Sequence, residues 1–395
     1  MRERARVIHP PPLEDLVAAA LQGYPRPSGP AEAALVATTS QKIHEHARSL
    51  WAEGPLPHDR VDWFCRMFAR LAVTNPSLVL FRPSAALENG FVVLRGMTNT
   101  PSIIEGVMEA LGDVGIEHVR DEMRVLPDAE RLGDRRFGAC QHSLALTFAE
   151  PGEQGKEQTQ LLFGEPVFLL DREGGDYLLH SGDGYWGWVR QDAIHAMTDE
   201  EFQQYSAHTQ AVVLDDIDLG SVRIFRGARV AVDGENVGGR LTLVWPDGRR
   251  SPLPASKLRS ESAVQKEAAE ARVRAALDLR STPYLFGGRS PLGLDCSGLV
   301  SSACARTGLV LARDAWQQAF AGSLVATRWH RKGLRAGDLV FFIDASGKIH
   351  HTGVAVSPTH LVHASPPCVQ ISSLRPGDRL YDARLDRAFF MAKRP

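Results

Sequence analysis

Cys296, in Asp295-Cys296-Ser297-Gly298-Leu299-Val300, follows a Gly- and Pro-rich approach, Thr282-Pro283-Tyr284-Leu285-Phe286-Gly287-Gly288-Arg289. After it, Leu299, Val300 and Cys304 recur at helical spacing, so the spacing predicts a helix that begins at the cysteine. A thiol at a helix N-terminus faces partial positive charge, and the expectation is a lowered pKa and a nucleophilic sulfur. Thiolate attack on an amide carbonyl needs an imidazole to hold the proton and return it to the leaving amine. His351, in His350-His351-Thr352-Gly353-Val354-Ala355-Val356, is the candidate base. Strand alternation places it on one face with the small residues Gly353 and Ala355, leaving room for a partner, while His350 points the other way. His363, in Leu361-Val362-His363-Ala364-Ser365, is the candidate orienting group on an adjoining strand. Each residue alone has a plain structural reading, a small buried hydrophobe or a packed histidine. Together, in the order Cys, His, His, they favour catalysis.

These residues sit in a chain of 395 residues, long enough for about two to four domains. Hydrophobic residues make up 44% and the formal net charge is −2, which gives no global attraction to nucleic acid or an anionic membrane. No run approaches the ~18 apolar residues of a membrane span. Met1 to Pro12 carries charge and prolines where a secretory apolar region would lie, and the expected location is cytoplasmic. The five cysteines are scattered without CxxC pairs, which argues against a disulfide framework or structural zinc. Adjacent His350 and His351 facing opposite sides make poor metal ligands, so no metal or cofactor is expected.

Helical periodicity runs through Leu13 to Leu21, Ala31 to Trp51 and Val61 to Val73, followed by a strand-helix-strand pattern over Phe91 to Arg95, Ser102 to Leu111 and His118 to Leu126. The middle of the chain alternates in short runs between turns, at Ser143 to Phe148, Pro166 to Leu170, Asp176 to His180, Gly187 to Val189, Ala228 to Val232 and Arg240 to Val244. Two small barrels fit that spacing. From Glu261 to Leu279 a helix returns, and after the Cys296 helix come strands at Asp338 to Phe342, His351 to Val356, Leu361 to Ala364 and Ala388 to Ala392. The predicted domains are 1–135, of unassigned role, the barrels 136–200 and 201–260, and an α+β unit over 261–395.

Tyr284-Leu285-Phe286-Gly287-Gly288, the Cys296 block, Gly337-Asp338-Leu339-Val340-Phe341-Phe342, His351-Thr352-Gly353-Val354 and Val362-His363-Ala364-Ser365 resemble the successive signature blocks of the NlpC/P60 cysteine peptidases. The barrels are similar to bacterial SH3 (SH3b) domains. The resemblance implies a papain-like α+β fold, a helix-borne cysteine packed on an antiparallel sheet, with Cys296 as nucleophile, His351 as base and His363 as third member. It also implies that the Tyr284 hydroxyl stands near the oxyanion, beside the Cys296 N–H.

A narrower resemblance is to the γ-D-glutamyl-L-diamino-acid endopeptidases that act on murein peptides with a free N-terminal L-Ala. It rests on Arg313-Asp314-Ala315-Trp316-Gln317-Gln318, on Glu165 in Leu162-Phe163-Gly164-Glu165-Pro166-Val167, and on Tyr185 in Asp183-Gly184-Tyr185-Trp186-Gly187-Trp188-Val189. It implies that Asp314 and Glu165 neutralise the substrate ammonium and that Tyr185 walls the pocket, while Asp295 and Ser297 line the subsite. Read locally, the alternatives are that Asp314 is a helix N-cap, Glu165 a solvated strand residue, Tyr185, Trp186 and Trp188 barrel core, and Ser297 a cap for an orphan N–H. Phe286 stands where relatives often carry Trp, and Ala315 lacks a hydroxyl that some have.

The expected substrate is L-Ala-γ-D-Glu-diamino acid, with meso-diaminopimelate as the diamino acid, in murein peptide recycling. An exported enzyme acting on intact peptidoglycan and a non-catalytic wall-binding protein are the competing readings.

Overall fold

Val61, Phe64, Cys65 and Phe68 are three and four positions apart, which puts them on one helical face, and the helix Val61–Ala72 buries that face. In the computed structural model, which describes residues 41–52, 54–73, 76, 79–260 and 268–395, this helix shares a core with the helix Ser102–Asp113 and a three-stranded sheet. The sheet order is Phe81–Glu88, Phe91–Thr98, Val119–Val125, so the strand-helix-strand pattern is present and gains a hairpin strand. Asn89 and Gly90 turn that hairpin with positive φ of 50° and 80°. The predicted helix Leu13 to Leu21, the start of Ala31 to Trp51 and the start of Glu261 to Leu279 lie outside the described residues; 41–50 is helical.

Two compact units divide the chain: Met1–Thr74 with Phe81–Arg124, and Asn75–Leu80 with Val125–Pro395. The segment 125–135 thus goes with the barrels, not with the N-terminal unit. Leu132 buries in the first barrel's core and the Asp128 N–H donates to Leu170 O at 2.8 Å.

The first barrel is a seven-stranded sheet in the order Ile194–Met197, Phe137–Cys140, Pro166–Glu173, Asp176–Ser181, Trp186–Arg190, Leu144–Glu150, Gln154–Leu162. The second is five-stranded, in the order Arg250–Pro254, Arg240–Val244, Arg229–Val237, Thr209–Val213, Leu258–Ser260. Leu162 and Phe163 of the first barrel bury in the second one's core, Phe163 edge-on to Trp245 at 5.0 Å. Trp188 is barrel core.

The C-terminal part begins with α1 (Ala268–Leu277) and α2 (Cys296–Ala305), then the short α3 (Ala315–Gln318). Its sheet has β1 (Ser323–Thr327), β2 (Leu339–Ile343), β3 (Ile349–Ala355), β4 (His360–Ser365), β5 (Cys368–Ser373) and β6 (Phe389–Arg394), with α4 (Ala383–Ala388) between β5 and β6. The strand order is β1-β6-β2-β3-β4-β5. β2 is a continuous apolar run because both faces are covered: Leu339 and Phe341 pack with Leu299, Val300 and Ala303 of α2, and Val340 and Phe342 with Phe389.

α2 lies close enough to the approach loop that a Cβ on Gly298 would come within 2.0 Å of Gly288 O. Backbone on both sides leaves no cheap relief. Gly298→Ala is expected to lower stability by about 1–3 kcal/mol, read as a shifted urea midpoint; an unchanged midpoint would contradict this packing.

Candidate functional site

The N-cap of α2 is Asp295, extended at φ −94°, and both its carboxylate oxygens are committed. Oδ1 accepts from the Gly298 N–H at 2.7 Å and the Ser297 hydroxyl at 3.2 Å; Oδ2 accepts from the Gly287 N–H at 3.0 Å. Arg313, only 4% exposed, grips both oxygens in bidentate fashion and donates to Ser297 Oγ at 2.8 Å. Its Nε reaches into the first barrel, to Thr159 Oγ1 at 3.4 Å, and lies 3.6 Å from Asp183 Oδ2.

Arg289 makes a second tie. It donates to Gln160 O at 3.0 Å, Glu165 Oε1 at 2.8 Å and Asp183 Oδ2 at 3.4 Å. Burial alone would raise the Asp183 carboxyl, yet Arg289 and Arg313 hold it below the usual carboxylate range. The barrel wall is thereby fixed against the approach loop, where a Cβ on Gly287, at φ +77°, would meet Gln158 O at 2.8 Å.

Between them lies a cleft of about 160 Å³ whose walls include Tyr185, Tyr284, Asp295, Cys296, Ser297 and Asp314. At one wall the Tyr185 hydroxyl donates to Asp314 Oδ1, and Trp316 Nε1 donates to Oδ2 at 3.2 Å. Asp314 is also the N-cap of α3, its N–H donating to Gln317 Oε1 at 3.0 Å, so the capping and cleft roles coexist. Glu165 is elsewhere. Its carboxylate is spent on Arg289 and on the Leu162 N–H at 3.0 Å, and it is not among the cleft residues. Asp295 and Ser297 line the cleft with side chains already tied to Arg313 and to each other.

β3 carries His351 opposite Phe342, and a bulge follows, since Ile343 pairs with Ile349. The extra residue is His350, and the bulge carries Ile349 and His350 to the cleft wall, correcting the simple alternation that turns His350 away. Gly353 does leave room for a partner: a Cβ there would stand 3.1 Å from His363 Cβ. His351 Nε2 and His363 Nδ1 are 3.0 Å apart, with ring planes at 89°.

Burial governs the charges here. It pushes His351 down to about 3, assisted by His363 and His350, and His363 down to about 4. It pushes the Cys296 thiol up to about 12, and the adjacent Asp295 carboxylate adds to the rise. The helix N-terminus, which by itself predicts a lowered thiol pKa, is opposed by partial burial of the sulfur and by the neighbouring Asp295 carboxylate. Tyr284 is raised by burial and by Cys296 and Asp295, so its phenol stays protonated and able to donate. Among the described residues no group of three or more His, Cys, Asp or Glu could hold a metal ion.

The residues that pattern reading does not find are Arg313, Asp183, Gln158, Trp316 and His350. Arg313 had a signal, since a guanidinium beside Asp314 in a buried block requires an anion. Asp183 and Gln158 depend on the fold bringing the barrel to the cleft.

Residues 281–384 match the NlpC/P60 family, and residues 148–194 match the bacterial dipeptidyl-peptidase Sh3 domain. A gamma-D-glutamyl-L-lysine dipeptidyl-peptidase of Bacillus subtilis is 27% identical over 273 residues, 64% of this chain and 83% of that protein. Dipeptidyl-peptidase 6 of Lysinibacillus sphaericus is 26% identical, over 56% of this chain and 85% of its own length. The crystal structure of an NlpC/P60 family protein from Bacillus cereus superposes with a TM-score of 0.55 at 19% identity, covering 65% of this chain and 99% of that one, which is a likeness of fold.

With the imidazole at about 3 and the thiol at about 12, both groups are neutral between those values. Thiolate ultraviolet absorbance, taken as wild type minus Cys296→Ser, is expected to be absent around neutral pH. A plateau of thiolate signal at neutral pH, lost on acidification, would contradict it.

Proposed function

The chain is a cysteine peptidase with an NlpC/P60 domain behind an SH3 domain of the bacterial dipeptidyl-peptidase kind, and from that premise we propose that it cleaves the bond between γ-D-glutamate and a diamino acid in murein peptides that begin with a free L-Ala. Cys296 is the nucleophile, His351 the base and His363 its orienting partner. As the Sγ–C bond forms at the γ-carboxyl carbon of D-Glu, the thiol proton passes to His351 and then to the leaving amine as the C–N bond breaks. Water next hydrolyses the thioester, releasing the dipeptide and restoring the thiol. The Tyr284 hydroxyl and the Cys296 N–H, an orphan donor at a helix start, stabilise the oxyanion. No cofactor enters these steps.

The observation that carries this reading is Asp314 in the same cleft as Cys296. Among the described residues it has no ion-pair partner, and its oxygens accept only from neutral donors, the Tyr185 hydroxyl, the Trp316 indole and backbone N–H of its own helix. A carboxylate has about four lone-pair sites, so capacity remains for a substrate ammonium. Acetylation of that amine removes its charge and adds bulk against Tyr185 and Trp316. Relatives named for L-lysine substrates support a diamino acid on the leaving side, and meso-diaminopimelate is the one proposed here. The pathway proposed is recycling of murein peptides in the cytoplasm.

Incubation with L-Ala-γ-D-Glu-diaminopimelate, its L-Lys analogue and the N-acetylated form of each, read by mass spectrometry, tests this. Both free peptides are expected to be cut, diaminopimelate faster, and the acetylated forms at least about thirty-fold slower. Equal cleavage of free and acetylated forms would remove the free-amine reading, and cleavage of none would remove the substrate. Recovery in the envelope fraction with clearing of intact peptidoglycan would instead support the wall-acting enzyme.

A further inference from the structure

His363 offers two ring nitrogens, and both are engaged. Nδ1 meets His351 Nε2 at 3.0 Å, and Nε2 meets the hydroxyl of Ser372, on the neighbouring strand β5, also at 3.0 Å. His363 is 2% exposed and Ser372 7%, so the far end of this chain is shut off from bulk water. Distance alone allows the protons to run in either direction, because a neutral imidazole donates from one nitrogen and accepts at the other, and a hydroxyl does both. Only two arrangements leave no proton facing a proton and no lone pair facing a lone pair.

In the first, His351 Nε2–H donates to His363 Nδ1 and His363 Nε2–H donates to Ser372 Oγ. His351 Nδ1 is then bare and can take the thiol proton. In the second, Ser372 donates to His363 Nε2, His363 Nδ1–H donates to His351 Nε2, and the proton of His351 sits on Nδ1. That form has no free lone pair for the thiol. The orientation of the hydroxyl at the end of the chain and the basic nitrogen of His351 are therefore coupled: an accepting hydroxyl goes with a basic Nδ1. The charged and titratable groups that act on this chain are His350, on β3 beside His351, Asp382, the N-cap residue of α4, and Arg384 in α4. Asp382 favours added positive charge on both histidines, and His350 and Arg384 oppose it.

We propose that Ser372 is a positioning residue: its Oγ is the terminal acceptor of a buried chain, Ser372–His363–His351, that holds His351 in the Nε2–H tautomer and leaves Nδ1 as the base toward Cys296. The proposal rests on the assignment of Cys296 and His351 as nucleophile and base. During attack the thiol proton moves to His351 Nδ1, the resulting imidazolium keeps its Nε2–H on His363, and the same proton leaves with the departing amine. Ser372 gains and loses nothing; it fixes direction.

The full chain, labelled with 15N-histidine, gives the test, with His351→Gln and His363→Gln used to assign the ring signals. Both rings in the wild type are expected as Nε2–H tautomers. Ser372→Ala is expected to mix the tautomers and to lower kcat roughly ten-fold, with KM within about two-fold. Ser372→Thr, which keeps a hydroxyl, is expected to restore the Nε2–H tautomers and most of kcat. Wild-type tautomers and kcat persisting in Ser372→Ala would overturn the proposal, as would a wild-type His363 carrying its proton on Nδ1. Cys296→Ala separates the two levels: cleavage surviving in it would overturn the catalytic assignment, and the chain with it. Lost cleavage in Cys296→Ala beside a normal Ser372→Ala would overturn the chain alone.

Discussion

A single buried guanidinium carries most of the architecture of the site. Arg313 clamps the carboxylate that caps the cysteine helix, holds the hydroxyl of Ser297, and extends to Thr159 and Asp183 of the first barrel. A buried charge is tolerated only when its hydrogen-bonding capacity is met, and removing one partner of such a pair costs about 3–5 kcal/mol. The partners of Arg313 come from two domains, so the stability of the helix start and the position of the barrel wall are the same requirement. Arg289 repeats the arrangement with Gln160, Glu165 and Asp183. The result is a rigid seam that delivers Tyr185 to Asp314, and the barrel becomes a wall of the peptidase cleft.

Closure has an electrostatic consequence. The thiol and the His351 ring are partly buried and the His363 ring is fully buried, and burial is the leading cause of all three shifts. Each shift favours the uncharged form. In the proposed reaction the thiol and the imidazoles start uncharged, and charge separates only while the Sγ–C bond forms. Proton direction then matters more than proton affinity, which gives the hydrogen bonds behind His351 their importance.

Much of this is legible in the residues alone. The helix beginning at Cys296 is announced by its loop and its apolar spacing, and β2, β3, β4 and β6 by short apolar runs. Gly353 reads correctly as room for His363 because the missing Cβ is a local fact. Other features belong to no local pattern. The strand Gln154–Leu162 is mostly polar and shows no alternation, since it gains its place from neighbours. The bulge at His350 depends on register with β2, which one strand cannot specify. Glu165 carries a family position but spends its charge on Arg289, a partner 124 residues away in the chain. The thiol pKa is the clearest case, because the helix start is visible in the sequence and the burial that opposes it is not.

The claim that the barrel and the peptidase domain build one amine pocket is tested most directly by a double-mutant cycle. Tyr185→Phe, Asp314→Asn and the double variant would be compared by kcat/KM on L-Ala-γ-D-Glu-diaminopimelate. The Tyr185 hydroxyl bonds the Asp314 carboxylate across the domain boundary, so the effects are expected to be non-additive by about 0.5–3 kcal/mol. Effects that add to within about 0.3–0.5 kcal/mol would contradict a shared pocket.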